Sequence, residues 1–179
     1  PSRIEEDLID ALVAEGVLVI AAMGNEFEEG DPTEWPAAYA NVLAVGAIGE
    51  DRRRASFSNT GAHINVVAPG NNILSTLPSY KYFGRDEVGY AAWPGTSMAA
   101  PHVAGVAALL KAKYAQKSGL WIGQRLEQTA LKLPAMGASK FSRADFLFFT
   151  PDGLEQASGE IVSGWRARRF AGYPLAADL

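Results

Sequence analysis

A serine stands at the start of a long apolar segment, in a setting that suits nucleophilic chemistry. Gly95 permits a tight turn, and Ser97 to Tyr114 is apolar nearly all round, which predicts a buried helix beginning at Thr96 or Ser97. A hydroxyl there lies beside unpaired backbone N–H groups at the positive end of the helix dipole. Such groups stabilise an oxyanion that forms next to the serine.

The same residues also allow a simpler interpretation, because a Ser or Thr before an apolar helix usually only caps it. Pro101 adds a second feature, since it follows Ser97 by four residues. Its ring removes one N–H and crowds the Ser97 carbonyl, so we expect the first turn to be distorted.

The residues around the serine read Gly95-Thr96-Ser97-Met98-Ala99-Ala100-Pro101-His102-Val103-Ala104-Gly105. This string resembles the serine signature of the subtilisin-like proteases at nearly every position. Four other segments are similar to family landmarks in order and spacing. They are Gly16-Val17-Leu18-Val19-Ile20-Ala21-Ala22-Met23-Gly24-Asn25, Pro36-Ala37-Ala38-Tyr39-Ala40-Asn41-Val42-Leu43-Ala44-Val45-Gly46-Ala47, Ala55-Ser56-Phe57-Ser58-Asn59-Thr60-Gly61 and Val67-Ala68-Pro69-Gly70. The resemblance runs from about Leu8 to about Leu133.

The resemblance implies a three-layer α/β fold with a mostly parallel sheet and a serine endopeptidase that works through an acyl-enzyme. Ser97 would attack the scissile carbonyl, and Asn25 would donate its side-chain amide to the oxyanion together with the Ser97 N–H. Without the resemblance, Asn25 after Gly24 would be read as a turn residue.

The resemblance also implies a substrate pocket. Ala22, Met23 and Gly24 would wall it, Thr96 would adjoin it, and Glu34 would lie on its floor. A carboxylate on the floor favours a basic P1 side chain. An exposed acidic loop residue is the alternative for Glu34, and the sequence leaves both open.

Two expectations concern the loop after the asparagine strand. The resemblance implies a cis peptide bond at Trp35-Pro36, which the X–Pro pairing permits. The carbonyls of Ala37, Tyr39 and Val42 would match a family cation site, and backbone oxygens suit Ca²⁺ or Na⁺. The chemistry itself needs no cofactor.

The base and the acid that a serine nucleophile requires are not found in this sequence. The family order is Asp, His, Ser, and neither of the two histidines fits the catalytic position. His63 reads as a surface or strand-edge residue, and His102 lies too far round the helix from Ser97. We therefore expect a fragment, inactive alone, whose partner segment on the N-terminal side supplies Asp and His and several strands. A non-catalytic binding or scaffold module is the alternative, and an esterase is disfavoured because Gly-x-Ser-x-Gly is absent.

The spacing of apolar residues predicts the helices and strands that carry these residues. Ile4, Leu8, Ala11 and Leu12 share one face of a helix that Gly16 ends. Apolar runs predict strands, the first two buried on both faces. They are Val17 to Met23, Val42 to Ile48, Ile64 to Ala68 and Ile73 to Thr76. Tyr80 to Pro94 reads as a loop, and Leu120 to Leu133 as an amphipathic helix.

Composition narrows the function classes further. The 179 residues carry a formal net charge of −4 and no cysteine. Neither a basic stripe for nucleic acid nor an apolar run for a membrane is present. We expect residues 1–133 to be the C-terminal part of a catalytic domain and 134–179 to be a divergent segment. The family default is an extracellular location.

Overall fold

A parallel sheet of four strands forms the centre of the molecule, with strand order β1-β2-β3-β6. The computed structural model of the chain describes residues 1–81, 86–131, 133 and 145–146. Its elements in chain order are α1 (Arg3–Ala14), β1 (Val19–Ala22), a short 3₁₀ turn (Phe27–Glu29), β2 (Val42–Ile48), β3 (Ile64–Pro69), β4 (Ile73–Thr76), β5 (Tyr90–Trp93), α2 (Thr96–Lys113), α3 (Gly119–Thr129) and β6 (Asp145–Phe146). The predicted α/β fold with a mostly parallel sheet is confirmed.

The sequence predicted the inner strand β2 with its correct bounds, and all seven of its residues are buried. Strand β1 is only half-buried along its length. Among the described residues, β1 is therefore less buried than its apolar run predicts, as expected for a strand that lacks neighbours on one side. Within the described residues β1 pairs with β2 alone, so it is an edge strand whose second side carries unpaired backbone groups.

Helices cover both faces of the sheet, which gives three layers. Alternate residues of β2 point to opposite faces: Leu43 and Val45 pack in one cluster with residues of α2 and α3. Val42 packs on the other face against Ile9 and Val13 of α1. The interior between the layers consists mostly of Val, Ile, Leu and Ala side chains, with Met23 and Tyr39 among them.

Helix α1 presents a different face to the sheet from the one we predicted. Ile9 and Val13 are buried, whereas Ile4, Leu8 and Leu12 are 75%, 62% and 49% exposed. The helix carries apolar residues on two sides, and tertiary contacts decide between them. The Tyr39 hydroxyl accepts a hydrogen bond from the Ser2 N–H (2.7 Å) and reaches the Glu5 carboxylate (3.0 Å).

Helix α2 runs without a break through Pro101. Its first turn is tight, since the Met98 N–H donates to the Gly95 carbonyl three residues back at 3.0 Å. The prediction that α2 is buried all round is wrong. One face is exposed and consists of small or weakly polar residues, namely Pro101, His102, Ala104, Gly105 and Ala108.

Strands β4 and β5 form a separate antiparallel pair. The sequence predicted β4 but assigned β5 to a loop rich in Tyr, Gly and charged residues, and that assignment is wrong for Tyr90–Trp93. This strand is short and alternates between exposed and half-buried positions. Helix α3 begins at Gly119 and ends at Thr129, short of the predicted Leu133, and Ser118 caps it by accepting from the Trp121 N–H.

Several expectations are settled by the backbone. Gly16 has φ +89° after α1, as a glycine that ends a helix does, and Trp35-Pro36 is a cis peptide.

The predicted segment 134–179 lies outside the described residues except for 145–146, so its boundary stays a prediction. No helix among the residues that the structure describes is long and apolar enough to cross a membrane.

Candidate active site

Ser97 is the second residue of α2, and its side chain is exposed. Its neighbour Thr96 is fully buried. The Ser97 hydroxyl therefore faces solvent, whereas the Thr96 hydroxyl faces the interior. Gly95, at the N-cap position, has φ +151° and provides no side-chain cap. The turn into the helix uses glycine because few other residues adopt this conformation. Ser97 therefore stands at the open end of a helix, as predicted.

Asn25 reaches the same helix end from the loop that follows β1. Its side-chain oxygen accepts hydrogen bonds from the Thr96 N–H (2.8 Å) and from the Thr96 hydroxyl (3.0 Å). The hydroxyl in turn accepts the Gly24 N–H at 3.2 Å. Because Oδ1 binds two donors, the orientation of the amide is defined, and Nδ2 remains as a donor on its other side.

Two nitrogen donors lie on the same side of the buried Gly95. A β-carbon on Gly95 would lie 3.3 Å from Met98 Sδ, 3.7 Å from the Ser97 nitrogen and 3.8 Å from Asn25 Nδ2. No acceptor for either N–H is found among the described residues, and helix geometry explains the unpaired Ser97 N–H. An exposed hydroxyl beside two free donors can attack a carbonyl whose developing oxyanion those donors stabilise.

The sequence did not predict Glu26 and Asn59, which lie behind Asn25. Glu26 Oε2 accepts the Asn25 N–H at 2.6 Å and the Asn59 amide at 3.3 Å. Asn59 is completely buried and also donates to the Pro32 carbonyl (3.1 Å). These contacts hold the loop at Asn25 in place. The acidic residue directly after Gly24-Asn25 was the only local signal for them.

The predicted pocket residues meet around Gly24. A β-carbon there would lie 2.4 Å from Asn59 Nδ2, 2.8 Å from Glu26 Oε2 and 2.8 Å from Glu34 Cγ. Glu34 is half-buried beside Gly24, so it is not simply an exposed loop residue. These atoms leave no space for a side chain at this position, so glycine is required for their close approach to the backbone.

The other two wall residues differ from each other. The Met23 side chain is 1% exposed and packs with Ala44 and Val67 in the interior, so only its backbone can line a pocket. Ala22 is half-buried on the edge strand.

Neither histidine is placed to act on Ser97. His102 is exposed, and its Nδ1 lies 2.8 Å from the Met98 carbonyl of its own helix. His63 is half-buried, and its Nε2 has no hydrogen-bond partner among the described residues. Burial lowers the pKa of His63 below its ordinary value, and the charge of Asp31 opposes that shift. Within the described ranges no hydrogen bond joins either ring to the serine hydroxyl, in line with the expectation that neither is the base.

The predicted cation ligands occupy the turn after Pro36. Ala37, Tyr39 and Val42 are all buried, and the Tyr39 carbonyl accepts the Val42 N–H at 3.1 Å. A carbonyl oxygen that accepts one hydrogen bond keeps a second lone pair. The three carbonyl oxygens are therefore suitable ligands for a hard cation. In the part of the chain that the structure describes, no three His, Asp or Glu side chains group as metal ligands.

Known proteins with similar sequences identify the family of this chain. A family model described as the subtilase family matches residues 1–157, which extends past Leu133. M-protease from Shouchella clausii (strain KSM-K16) is 44% identical over 133 residues, covering 74% of this chain and 32% of the relative. Subtilisin BL from Lederbergia lenta is 44% identical over 133 residues, covering 74% of this chain and 46% of the relative.

A third relative, alkaline elastase YaB from Bacillus sp. (strain YaB), is 44% identical over 128 residues, with 72% of this chain and 31% of the relative covered. The chain thus spans less than half the length of these relatives. The family match over most of the chain and these identities agree with the four landmark segments. The chain belongs to the subtilase family.

Proposed function

We propose that this chain carries the nucleophile and oxyanion half of the active site of a serine endopeptidase. The observation that carries the proposal is that the Ser97 nitrogen and Asn25 Nδ2 lie 3.7 and 3.8 Å from the position that a β-carbon on Gly95 would take. Ser97 follows Gly95 by two residues and is exposed. Ser97 Oγ attacks the peptide carbonyl, and the two donors stabilise the charge that develops on its oxygen.

The proton from Ser97 must pass to a base and then to the leaving amine, so that an acyl-enzyme forms and water later hydrolyses it. His102 is turned onto its own helix, and His63 lies behind Gly61, where its ring atoms approach the glycine. The proposal therefore assigns the base and its orienting acid to a polypeptide segment outside this sequence. From the family order of Asp, His and Ser, we propose that this segment lies on the N-terminal side.

A fluorophosphonate probe tests this assignment, because it labels only a serine that a base activates. We expect the 179-residue chain alone not to label appreciably. The longer protein that includes the upstream segment should label, and Ser97→Ala should abolish the reaction. Robust labelling of the isolated chain that Ser97→Ala removes would show that its base is already present. A longer protein that folds but never labels would instead favour the non-catalytic binding module.

The proposed substrates are proteins or peptides with a basic P1 side chain. Glu34 supports this specificity because its side chain lies against Gly24, one residue from Asn25. A panel of peptide substrates for the complete enzyme tests it. Lys or Arg at P1 should be preferred, and Glu34→Gln should reduce that preference, whereas Glu28→Gln, on the exposed 3₁₀ turn, should not. Preference for aromatic P1 residues over Lys and Arg would refute the role of Glu34.

Two further properties follow from family membership and remain proposals. The carbonyls of Ala37, Tyr39 and Val42 would hold Ca²⁺ or Na⁺ as a structural ion. Comparing the midpoint of thermal unfolding with CaCl₂, NaCl and EDTA tests this, and no difference between them would exclude it. An extracellular location is proposed on the same basis, and fractionating cells that express the complete protein would test it.

A further inference from the structure

A single buried residue, Asn59, joins the two ends of the loop that follows β1. We name residues 24–32 the Asn25 loop. The Asn59 backbone N–H donates to the Gly24 carbonyl at 3.1 Å, where this loop begins. Its side-chain nitrogen donates to the Pro32 carbonyl at 3.1 Å, where the loop ends, and to Glu26 Oε2 at 3.3 Å. Asn59 itself comes from the segment between β2 and β3 and is 0% exposed.

The surroundings of the Asn59 side chain define the orientation of its amide. Nδ2 faces two acceptors, and the reversed amide would place Oδ1 against the same carboxylate and carbonyl oxygens. Oδ1 is buried and has no hydrogen-bond partner among the residues that the structure describes. The two bonds that Nδ2 donates, rather than any bond that Oδ1 accepts, therefore account for this amide in the interior.

The Glu26 carboxylate connects Asn59 to Asn25. One oxygen, Oε2, accepts both the Asn59 amide and the Asn25 N–H, the latter at 2.6 Å. Glu26 directly follows Asn25, so its side chain turns back onto the main chain of its neighbour. Glu26 is half-buried, and the two donors compensate for the water that its charge has lost. The Asn59 amide thus keeps this carboxylate against the Asn25 main chain.

Asn25 is consequently held from two sides. The Thr96 hydroxyl donates to Asn25 Oδ1 at 3.0 Å and holds the side chain. Gly24 and Glu26 hold the main chain, and Asn59 contacts both of them. The packing is close, because a β-carbon on Gly24 would lie 2.4 Å from Asn59 Nδ2. A shift of the main chain here would therefore move Asn25 Nδ2, the donor next to Ser97.

We propose that Asn59 is a positioning residue for the oxyanion site, which fixes the main chain at Asn25 and so places its Nδ2. This inference rests on the proposed function, because it requires Asn25 as the oxyanion donor. Asn59 is fully buried and touches no substrate, so it acts through Glu26 and Gly24. The oxyanion exists only in the transition state, so loss of Asn59 should slow turnover rather than weaken substrate binding.

Steady-state kinetics of the complete enzyme tests this role, with active-site titration to count the folded molecules. Asn59→Ala should lower kcat about 10-fold and leave KM nearly unchanged, because a donor misplaced by about 1 Å can cost up to about 10²-fold in rate. Asn59→Asp has the same shape, but its ionised form cannot donate to either acceptor. It should lower kcat at least as much.

Asn65→Ala is the matched control, since it removes an asparagine amide that also makes two hydrogen bonds. Asn65 Oδ1 accepts the Ala44 N–H at 2.7 Å, and its nitrogen donates to Glu127 Oε1 at 3.1 Å. Neither contact involves the Asn25 loop, so this variant should keep full kcat. Full kcat in Asn59→Ala would refute the proposal. A raised KM with unchanged kcat would also refute it, because Asn59 would then act on substrate binding.

A double-mutant cycle separates positioning from a general loss of structure. If Asn59 acts through the Asn25 amide, Asn59→Ala should lower kcat by less than about 2-fold in an enzyme that already carries Asn25→Ala. A fall of about 10-fold in both backgrounds would mean that the two residues act independently, which contradicts the proposed route.

The NMR signal of the Asn25 side-chain amide reports its position without turnover. In the complete protein labelled with ¹⁵N-asparagine, this signal is identified by its loss in Asn25→Ala. Asn59→Ala should shift it, and Asn65→Ala should leave it in place. An unmoved signal would refute the positioning role whether or not the protein is active. A shifted signal in a protein without peptidase activity would retain the placement of Asn25 by Asn59 and overturn the proposed function alone.

Discussion

The side-chain oxygen of Asn25 accepts the backbone N–H of Thr96 at 2.8 Å, so a residue at the end of β1 caps helix α2 from outside the helix. The N-cap residue Gly95 has no side chain that could do so. One amide therefore has two tasks. Its oxygen completes the helix end, and its nitrogen remains free beside Ser97. Folding and the proposed chemistry are coupled at this residue because the first contact orients the second.

Substituting Asn25 should separate these tasks. Asn25→Ala should lower the free energy of unfolding by about 1 kcal/mol, the usual effect of losing an N-cap acceptor. Asn25→Asp should lower it less, because a carboxylate still accepts the Thr96 N–H and suits the positive end of a helix. Urea unfolding of both variants measures this. A loss as large in Asn25→Asp as in Asn25→Ala would show that the oxygen does not cap α2.

In the complete enzyme both substitutions should reduce turnover, because both remove the Nδ2 donor. The expected fall of about 10²–10³ is the value known for removing this donor in subtilisin itself, rather than one calculated from the present geometry. Steady-state kinetics with a peptide substrate measures it. Glu28→Gln, on an exposed turn outside this network, should keep full turnover and serves as the control.

Features that depend on neighbouring residues were the ones that the sequence predicted well. The apolar run of β2 has the period and length of a buried parallel strand, and the glycine before Ser97 marks the start of α2. Gly16 ended α1 where expected. Ser97 lies in the first turn of α2 and Asn25 lies in the loop after β1, and the roles that the family landmarks imply for them stay predictions.

Features that depend on distant contacts were not predictable in the same way. Helix α1 has apolar residues on two sides, and the packing of Ile9 and Val13 on Val42 selects one of them. The contact between Glu26 and Asn59 joins residues that are far apart in sequence, with only one acidic side chain as a local sign. The exposed face of α2 consists of small residues, and composition alone cannot tell a buried helix from one with an uncovered side.

The Thr96 hydroxyl should contribute to stability through the two hydrogen bonds that it makes. It donates to Asn25 Oδ1 and accepts the Gly24 N–H, and the residue is fully buried. Thr96→Val has nearly the same shape but leaves Gly24 without its acceptor, so it should lower the free energy of unfolding by about 1–3 kcal/mol. Thr96→Ser keeps the hydroxyl and should lose less. Chemical denaturation measures the free energy of unfolding of both variants. Equal losses in the two would mean that the hydroxyl contributes little to stability.

Two glycines at helical positions should respond in opposite ways to alanine. A β-carbon on Gly119 would lie 2.4 Å from the backbone of Val17 and Leu18, where α3 crosses the start of β1, whereas one on Gly105 meets nothing within 4 Å. Gly119→Ala should cost about 1–3 kcal/mol of stability through overpacking. Gly105→Ala should add about 0.5–1 kcal/mol through helix propensity. Urea unfolding of the isolated chain measures both, and a stabilising Gly119→Ala would contradict the close approach of α3.

His63 should make the chain less stable as the pH falls. Burial lowers the pKa of His63 in the folded chain, and the Asp31 charge only partly offsets this, so the folded state binds fewer protons than the unfolded state below the ordinary histidine pKa of about 6.5. The free energy of unfolding should therefore be highest above that pH and fall as the pH drops toward the lowered pKa. His63→Gln removes the titrating ring and should flatten this dependence between pH 7.5 and 5.5, whereas the exposed His102→Gln should preserve it. Urea titrations of both variants across that range make the comparison, and a slope that survives in His63→Gln would assign the pH dependence to other groups.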